Sequence, residues 1–488
     1  MQLPLLERDA AALLAATNRR TYLDRAGLEP GLPLKPPYDR YSDVCSLETH
    51  AWLRDQELAD PLKRRLLDFV TTHFLQAAAI DLTDRLAAAD ASGSIEWIGE
   101  RIPLRVARTN HFAEPDRDRR HWLDEAVRAS TAEWAPLRFE RRRVMRGRLD
   151  DLDYAGWPAL GEELRGLDVE ALDALAGSIL DQTDELYAQA LADQLLQHGL
   201  DGGDVWEVDL DWIRRGAAYD SSFPADRLLP ALYQTLEGLG IRLEDQGHVQ
   251  LDLRPRPLKS TRPFQGLIDV DGEIAVSMRP VGGRLDFETL FHSVGLAEPL
   301  AHADRSAAFS DRWLPDPTVK AGYGSLFQAL AMEPSWLARQ LDLDDPRDAL
   351  RLAAFGALYT VRRLAATVRF DLEHADDEEL ELTAQRWAEA LTETLGVRFF
   401  PEQYLEAGAD PLAAAASLRG RVFASRLAAF LASEFDEEWH RSARAGRFLV
   451  ERWREGQRYT ADELLRFMGL DGLDPRPMLE NVRTLLAQ

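Results

Sequence analysis

The sequence predicts a mostly α-helical fold with one short sheet in its middle, and three observations carry that prediction. Apolar residues recur at three- and four-residue spacing through long segments such as 61–86, 169–195 and 350–372, with Arg, Asp and Glu between them. Alanine and leucine, both strong helix formers, dominate those segments. One region breaks the period: Val249-Gln250-Leu251-Asp252-Leu253 alternates in twos, and apolar runs at 263–270 and 273–278 flank Asp271-Gly272, a hairpin turn signal.

Along the chain, the breaks between helices fall at the proline-rich stretch 30–37, at the small-residue segment Asp90 to Ser94, and at the Gly/Asp segment Gly199 to Asp204. After Gly282-Gly283 the helical period returns with Leu285, Leu290, Phe291 and Val294, and Pro299 is the expected stop. The expected organisation is an N-terminal helical lobe over 1–200 and a second lobe over 201–488. The second holds the small sheet at 249–279, the helices of the candidate site at 285–330, and C-terminal helices at 346–488.

Composition narrows the function. The chain has 488 residues, 45% of them hydrophobic, which suffices for a large core and excludes wholesale disorder. Its formal net charge of −25 argues against a nucleic-acid partner, because phosphate contacts need clustered Lys and Arg. Cys45 stands alone, so neither a disulfide framework nor a cysteine zinc knuckle is expected, and it reads as packing. The N-terminus lacks a signal-peptide pattern and no apolar run is long enough to span a bilayer, so a cytoplasmic protein with no membrane partner is expected.

The segment after the sheet reads Phe291-His292-Ser293-Val294-Gly295-Leu296-Ala297-Glu298. A zinc-peptidase helix carries H-E-x-x-H, because residues four apart share a face and both imidazoles reach one metal while the Glu polarises a water. Here His292 occupies the first position, Ser293 the glutamate position and Leu296 the second histidine position. By itself this is a lone histidine on a core helix. Glu288 shares a face with His292 and reads as a helix-stabilising partner, whereas Glu298 and His302 are too far round or along the helix to join it. His50, His73, His111 and His121 form no metal spacing, and 110–122 reads as a solvated loop leading into a helix. Arg141-Arg142-Arg143 reads as a solvated helix face. Gly282-Gly283 is a turn without the pattern of a phosphate loop, and Ser293 has no adjacent base.

The surroundings of that helix add a resemblance. Asp252 through Lys259, Arg262-Pro263-Phe264, the hairpin, Arg279-Pro280-Val281-Gly282-Gly283 and the helix bearing Phe291, His292, Gly295 and Ala297 together resemble the oligoendopeptidase F and thimet oligopeptidase family of zinc peptidases. Similar patches occur at 221–230, 313–328, 396–404 and 456–465, and at Tyr22-Leu23-Asp24-Arg25-Ala26-Gly27-Leu28, so the likeness runs over nearly the whole chain. The resemblance implies a helical peptidase-like fold with two lobes around a cleft that admits short peptides. It also implies a third zinc ligand, a glutamate, at the place of Ala321 in Lys320-Ala321-Gly322-Tyr323, and a tyrosine or histidine near 412–419, where none stands.

Of the four implied zinc-site positions, His292, Ser293, Leu296 and Ala321, only the first keeps its residue type. The expectation is therefore a catalytically inactive oligopeptidase relative without zinc, with no catalytic residue and with a peptide or protein segment as the partner for its cleft. Two alternatives stay open: a metallopeptidase or other hydrolase with rearranged ligands, and a structural or assembly protein whose cleft is filled.

Overall fold

The computed structural model describes residues 2–111, 113–200, 204–343, 345–406 and 408–487. Helix makes up 69% of the chain. Among the longer helices are α1 (Leu3–Arg25), α2 (Asp60–Ala78), α3 (Ala135–Gly147), α4 (Val169–Gln197) and the shorter α5 (Glu207–Arg215). They are followed by α6 (Arg284–His302), α7 (Pro317–Leu330), α8 (Arg347–His374), α9 (Leu380–Leu395), α10 (Ala413–Phe435) and α11 (Ala443–Arg454). No helix among the described residues is long and apolar enough to cross a membrane. Residues 201–203 of the expected Gly/Asp break lie outside the described residues.

Among the described residues, five short strands form two sheets. A two-stranded hairpin, β1 (Ser94–Trp97) and β2 (Glu100–Pro103), turns through Ile98-Gly99. The second sheet contains β3 (Val249–Asp252), β4 (Phe264–Leu267) and β5 (Ile274–Ser277) in the order β3-β5-β4. β5 is central, antiparallel to β4 across the Asp271-Gly272 turn and parallel to β3. All four β5 residues are buried, as expected for a strand covered on both faces. Gly272 holds φ at +101°, a conformation available to glycine and costly for other residues.

Two large apolar cores and two small ones are present among the described residues, and the large ones span the long helices. One joins α1, α2 and α4 to much of α8 and α9, while the other gathers the inner faces of α6 and α7 with the C-terminal half of α10 and with α11. α8 and α10 contribute side chains to both, so each runs from one core into the other. Fully buried Phe291, Phe327 and Trp336 lie in the second core, where each such side chain contributes about 1.5–3 kcal/mol on burial.

Local chemistry sets where the central helices begin. Gly283 precedes α6, and the Asp286 carboxylate accepts hydrogen bonds from the backbone N–H groups of Val281 (2.8 Å) and Gly282 (2.9 Å). α7 starts with Asp316 accepting from the Val319 N–H at 3.0 Å and with Pro317 in the first helical position. The expected stop at Pro299 is corrected: α6 continues to His302. A proline so near the end removes only one helical hydrogen bond, and its carbonyl accepts from Gln457 Nε2 at 3.3 Å.

Candidate functional site: a closed helix crossing beside an arginine-lined cavity

α6, α7 and α10 cross at small residues. A Cβ added to Gly295 would lie 2.5 Å from the Tyr323 carbonyl oxygen, and one on Gly420 would lie 2.6 Å from the Ala321 Cβ. These glycines let the three backbones approach more closely than any larger residue permits.

The crossing places two of the four sequence-predicted positions, His292 and Leu296, at the α6–α7 contact. The His292 imidazole leans on Gly324, where an added Cβ would sit 2.7 Å from its Cε1, and the Leu296 side chain reaches the same point at 3.0 Å. Ala321 is one turn away on α7, against α10. Ser293 is fully buried on α6 and its hydroxyl donates to the Thr289 carbonyl at 2.8 Å, so it is a helix-capped hydroxyl with no base beside it. His292 Nδ1 has no hydrogen-bond partner. Burial, followed by the charges of Arg421 and Lys320, pushes the imidazole down to about 4, so it is neutral at physiological pH.

A zinc ion needs three protein ligands in a catalytic site. Only His292 brings a ligating atom here, and among the described residues no three His, Cys, Asp or Glu side chains group as metal ligands. Glu288 does not face His292 as a partner. It pairs with Arg284 one turn back on α6. Glu298 accepts from Gln246 Nε2 at 2.9 Å and lies 3.3 Å from His302, which packs against Trp453.

Beside this crossing lies a cavity of about 1120 Å³, walled by α1, α2, α3, α5, α8 and α10, and none of the four predicted positions lines it. Much of its chemistry comes from acidic residues the sequence reading did not single out. On α5, Glu207 and Asp211 stand one turn apart, and Glu207 accepts from Tyr359 Oη (3.1 Å) and Gln403 Nε2 (2.7 Å) and pairs with Arg363 at 2.5 Å. Burial first, then the neighbouring Glu207, raises Asp211. Burial pushes Asp124 up to about 6 and Asp371 up to about 7 despite the nearby Arg128 and Arg142. The acidic pair at i and i+4 in Glu207-Val208-Asp209-Leu210-Asp211 was the available signal for this site.

The arginine run on α3 is corrected from a solvated face to a mostly interior one. Arg142 is only 2% exposed and donates to the carbonyls of Ala409 (2.6 Å) and Ala375 (2.9 Å), with its guanidinium over Trp157. Arg138 donates to the Glu402 carbonyl and to Glu406, and Arg141 lines the cavity. Only Arg143 faces outward, paired with Glu381. Guanidinium groups tolerate burial when several carbonyls accept their fixed donors. The expected solvated loop at 110–122 is likewise inward-facing in part. His111 lines the cavity and lies 3.3 Å from Asp124, and His121 stacks on Trp206 and bonds Asp209 at 2.8 Å. Cys45 is buried, and burial pushes its thiol up to about 12.

This architecture is that of known helical peptidases. A solved oligoendopeptidase F superposes with a TM-score of 0.67 at 16% identity, covering 95% of this chain and 84% of that one. PZ peptidase A, solved with an inhibitor, gives 0.66 at 14% identity, covering 96% and 86%. A Pyrococcus furiosus carboxypeptidase gives 0.58 at 13% identity, covering 99% and 97%. The peptidase-like fold implied by the sequence resemblance is therefore the fold the chain has. No sequence-family model matches the chain. No curated protein matches it either.

Proposed function

We propose that this protein is a non-hydrolytic relative of the oligopeptidases that holds a peptide or an extended protein segment in its central cavity without cutting it. The observation that carries this reading is the pairing of an open cavity of about 1120 Å³ with a helix crossing that offers one imidazole where zinc chemistry needs three ligands and a carboxylate. Peptide binding by cavity shape and main-chain hydrogen bonding needs no metal. The reading includes no zinc, no nucleic-acid or membrane partner, and no catalytic role for His292, Ser293, Leu296 or Ala321. The test is binding of a short-peptide library, run beside a quenched-fluorescent cleavage assay. Saturable binding without cleavage is expected, and absence of binding up to high micromolar peptide would sink the proposal.

A second reading, hydrolysis by rearranged residues, has one observation behind it: Asp124 and Asp371 both face the cavity with carboxyls raised to about 6 and 7. Groups poised near neutrality suit general acid–base work. Metal-independent cleavage lost on Asp371→Asn would favour it.

A further inference from the structure

The guanidinium groups around the cavity are not equally matched. Arg138, Arg142 and Arg262 are all tied to the connection between α9 and α10. Arg138 donates to the Glu402 carbonyl at 3.0 Å and to the Glu406 carboxylate at 3.2 Å. Arg262 donates to the Glu406 carbonyl at 2.5 Å, and Arg142 to the Ala409 carbonyl at 2.6 Å. These shared anchors bring the three head groups to one short stretch of chain. Arg141 belongs to the same group: it follows Arg138 by one turn on α3, adjoins Arg142, and lines the same cavity as Glu406 and Ala409.

Arg141 differs from its neighbours in having nothing to hold. Among the described residues its guanidinium has no hydrogen bond, ion pair or aromatic partner, and its Nε is buried without an acceptor. The charges that act on it are those of Arg138, Arg262 and Arg142, all of them cations. Burial, followed by those three charges, brings Arg141 down to about 10, so it remains a cation at neutral pH. The carboxylates that act on the cluster through Arg262 are already engaged, Glu406 by Arg138 and Asp90 by Arg105 and Arg108. A half-buried cation pressed by like charges costs stability unless an opposite charge joins it. This positive group lies inside a chain whose net charge is −25.

We propose that Arg141, with Arg138, Arg142 and Arg262 around it, forms a binding site for an oxyanion that enters the central cavity: the terminal carboxylate of a short peptide or the phosphate of a small molecule. Arg141 supplies the free planar fork, whose parallel N–H donors match two oxygens of either group. The three anchored arginines add positive charge without releasing the carbonyls they hold. This deepens the peptide-binding reading, and rests on it only for the peptide as the source of the carboxylate.

The test uses the full-length protein and three probes: inorganic phosphate, trialanine and trialanine amide, which lacks the terminal carboxylate. Binding is measured by calorimetry and thermal shift at ionic strength matched with chloride. Wild type is expected to bind phosphate and trialanine saturably and the amide about tenfold or more weakly than trialanine. Arg141→Met is expected to weaken phosphate and trialanine by about tenfold or more and to leave the amide unchanged. Arg143→Met, which removes the outward-facing neighbour paired with Glu381, is expected to bind all three as wild type does. Without anion, Arg141→Met is expected to melt higher than wild type, because an unmatched charge has gone, whereas loss of a merely structural residue lowers the melting temperature. If Arg141→Met fails to fold, Arg141→Gln, which keeps a polar head in the cavity, carries the comparison. Phosphate stabilisation that equals chloride's, or that survives unchanged in the Arg141 variants, overturns the oxyanion site. The amide binding as tightly as trialanine, with phosphate ignored, leaves peptide binding standing and removes the oxyanion site. Phosphate binding that is lost in Arg141→Met while both peptides are ignored keeps the oxyanion site and removes the peptide-binding reading.

Discussion

The α6–α7–α10 crossing and the neighbouring cavity share helices, yet they are built on opposite terms. The crossing is close-packed through Gly295, Gly324 and Gly420, and its one polar ring is held neutral. The cavity keeps its volume open behind guanidinium groups that are tied to distant carbonyls and carboxylates. The contrast teaches that one set of helices can pack tightly at one crossing and enclose a space beside it, because different side chains maintain the two.

That comparison can be broken most severely at the crossing. Gly295→Val forces a side chain into the Tyr323 carbonyl and the Phe327 side chain, where an added Cβ already lies at 2.5 and 3.0 Å. Chemical denaturation is expected to register a loss of about 3 kcal/mol or more. A loss below about 1 kcal/mol would mean the helices are not so tightly apposed.

The cavity wall is next. Arg142→Met leaves the Ala375 and Ala409 carbonyls without their donor, at an expected cost of about 2–3 kcal/mol in the same measurement. If the arginine face were merely solvated, the substitution would be close to neutral.

Two titrations sharpen the comparison further, with opposite slopes. Asp371 has a folded value of about 7 against an unfolded 3.8, so the native state holds a proton that the unfolded chain has released. Its contribution is fully present below about pH 4 and is lost as pH rises through 7. Asp371→Asn is therefore expected to stabilise the protein by about 1–2 kcal/mol at pH 8 and to make little difference at pH 4. His73, which bonds the Tyr38 hydroxyl through Nδ1 at 2.9 Å, is pushed down to about 4 by burial. Its contribution is present above 6.5 and lost as pH falls towards 4, so His73→Phe should flatten thermal melts across that window by about 1 kcal/mol. An unchanged acid slope would place the proton uptake elsewhere.

Local pattern made much of the fold readable. Period-two alternation marked β3, Asp271-Gly272 marked the β4–β5 turn, and Gly282-Gly283 marked the start of α6. The β1–β2 hairpin escaped because its strands are four residues each and follow a helix that runs to Ser92. The juxtaposition of His292 and Leu296 with α7 followed from the helical period and the family resemblance. The arginine-lined cavity did not, because burial there is decided far along the chain. Arg142 finds its acceptors 233 and 267 residues away, and Arg138 reaches Glu402 across 264. A run of arginines looks the same in sequence whether water or a distant carbonyl receives its hydrogen bonds.

The most direct test of the central claim measures metal content and peptide turnover on one preparation, purified without chelator or histidine tag, with peptide binding followed in parallel. The account expects substoichiometric zinc, no cleavage, and saturable peptide binding that is unaffected by His292→Ala. About one zinc per chain with cleavage that disappears in His292→Ala would contradict it, and would make the helix crossing a working metal centre.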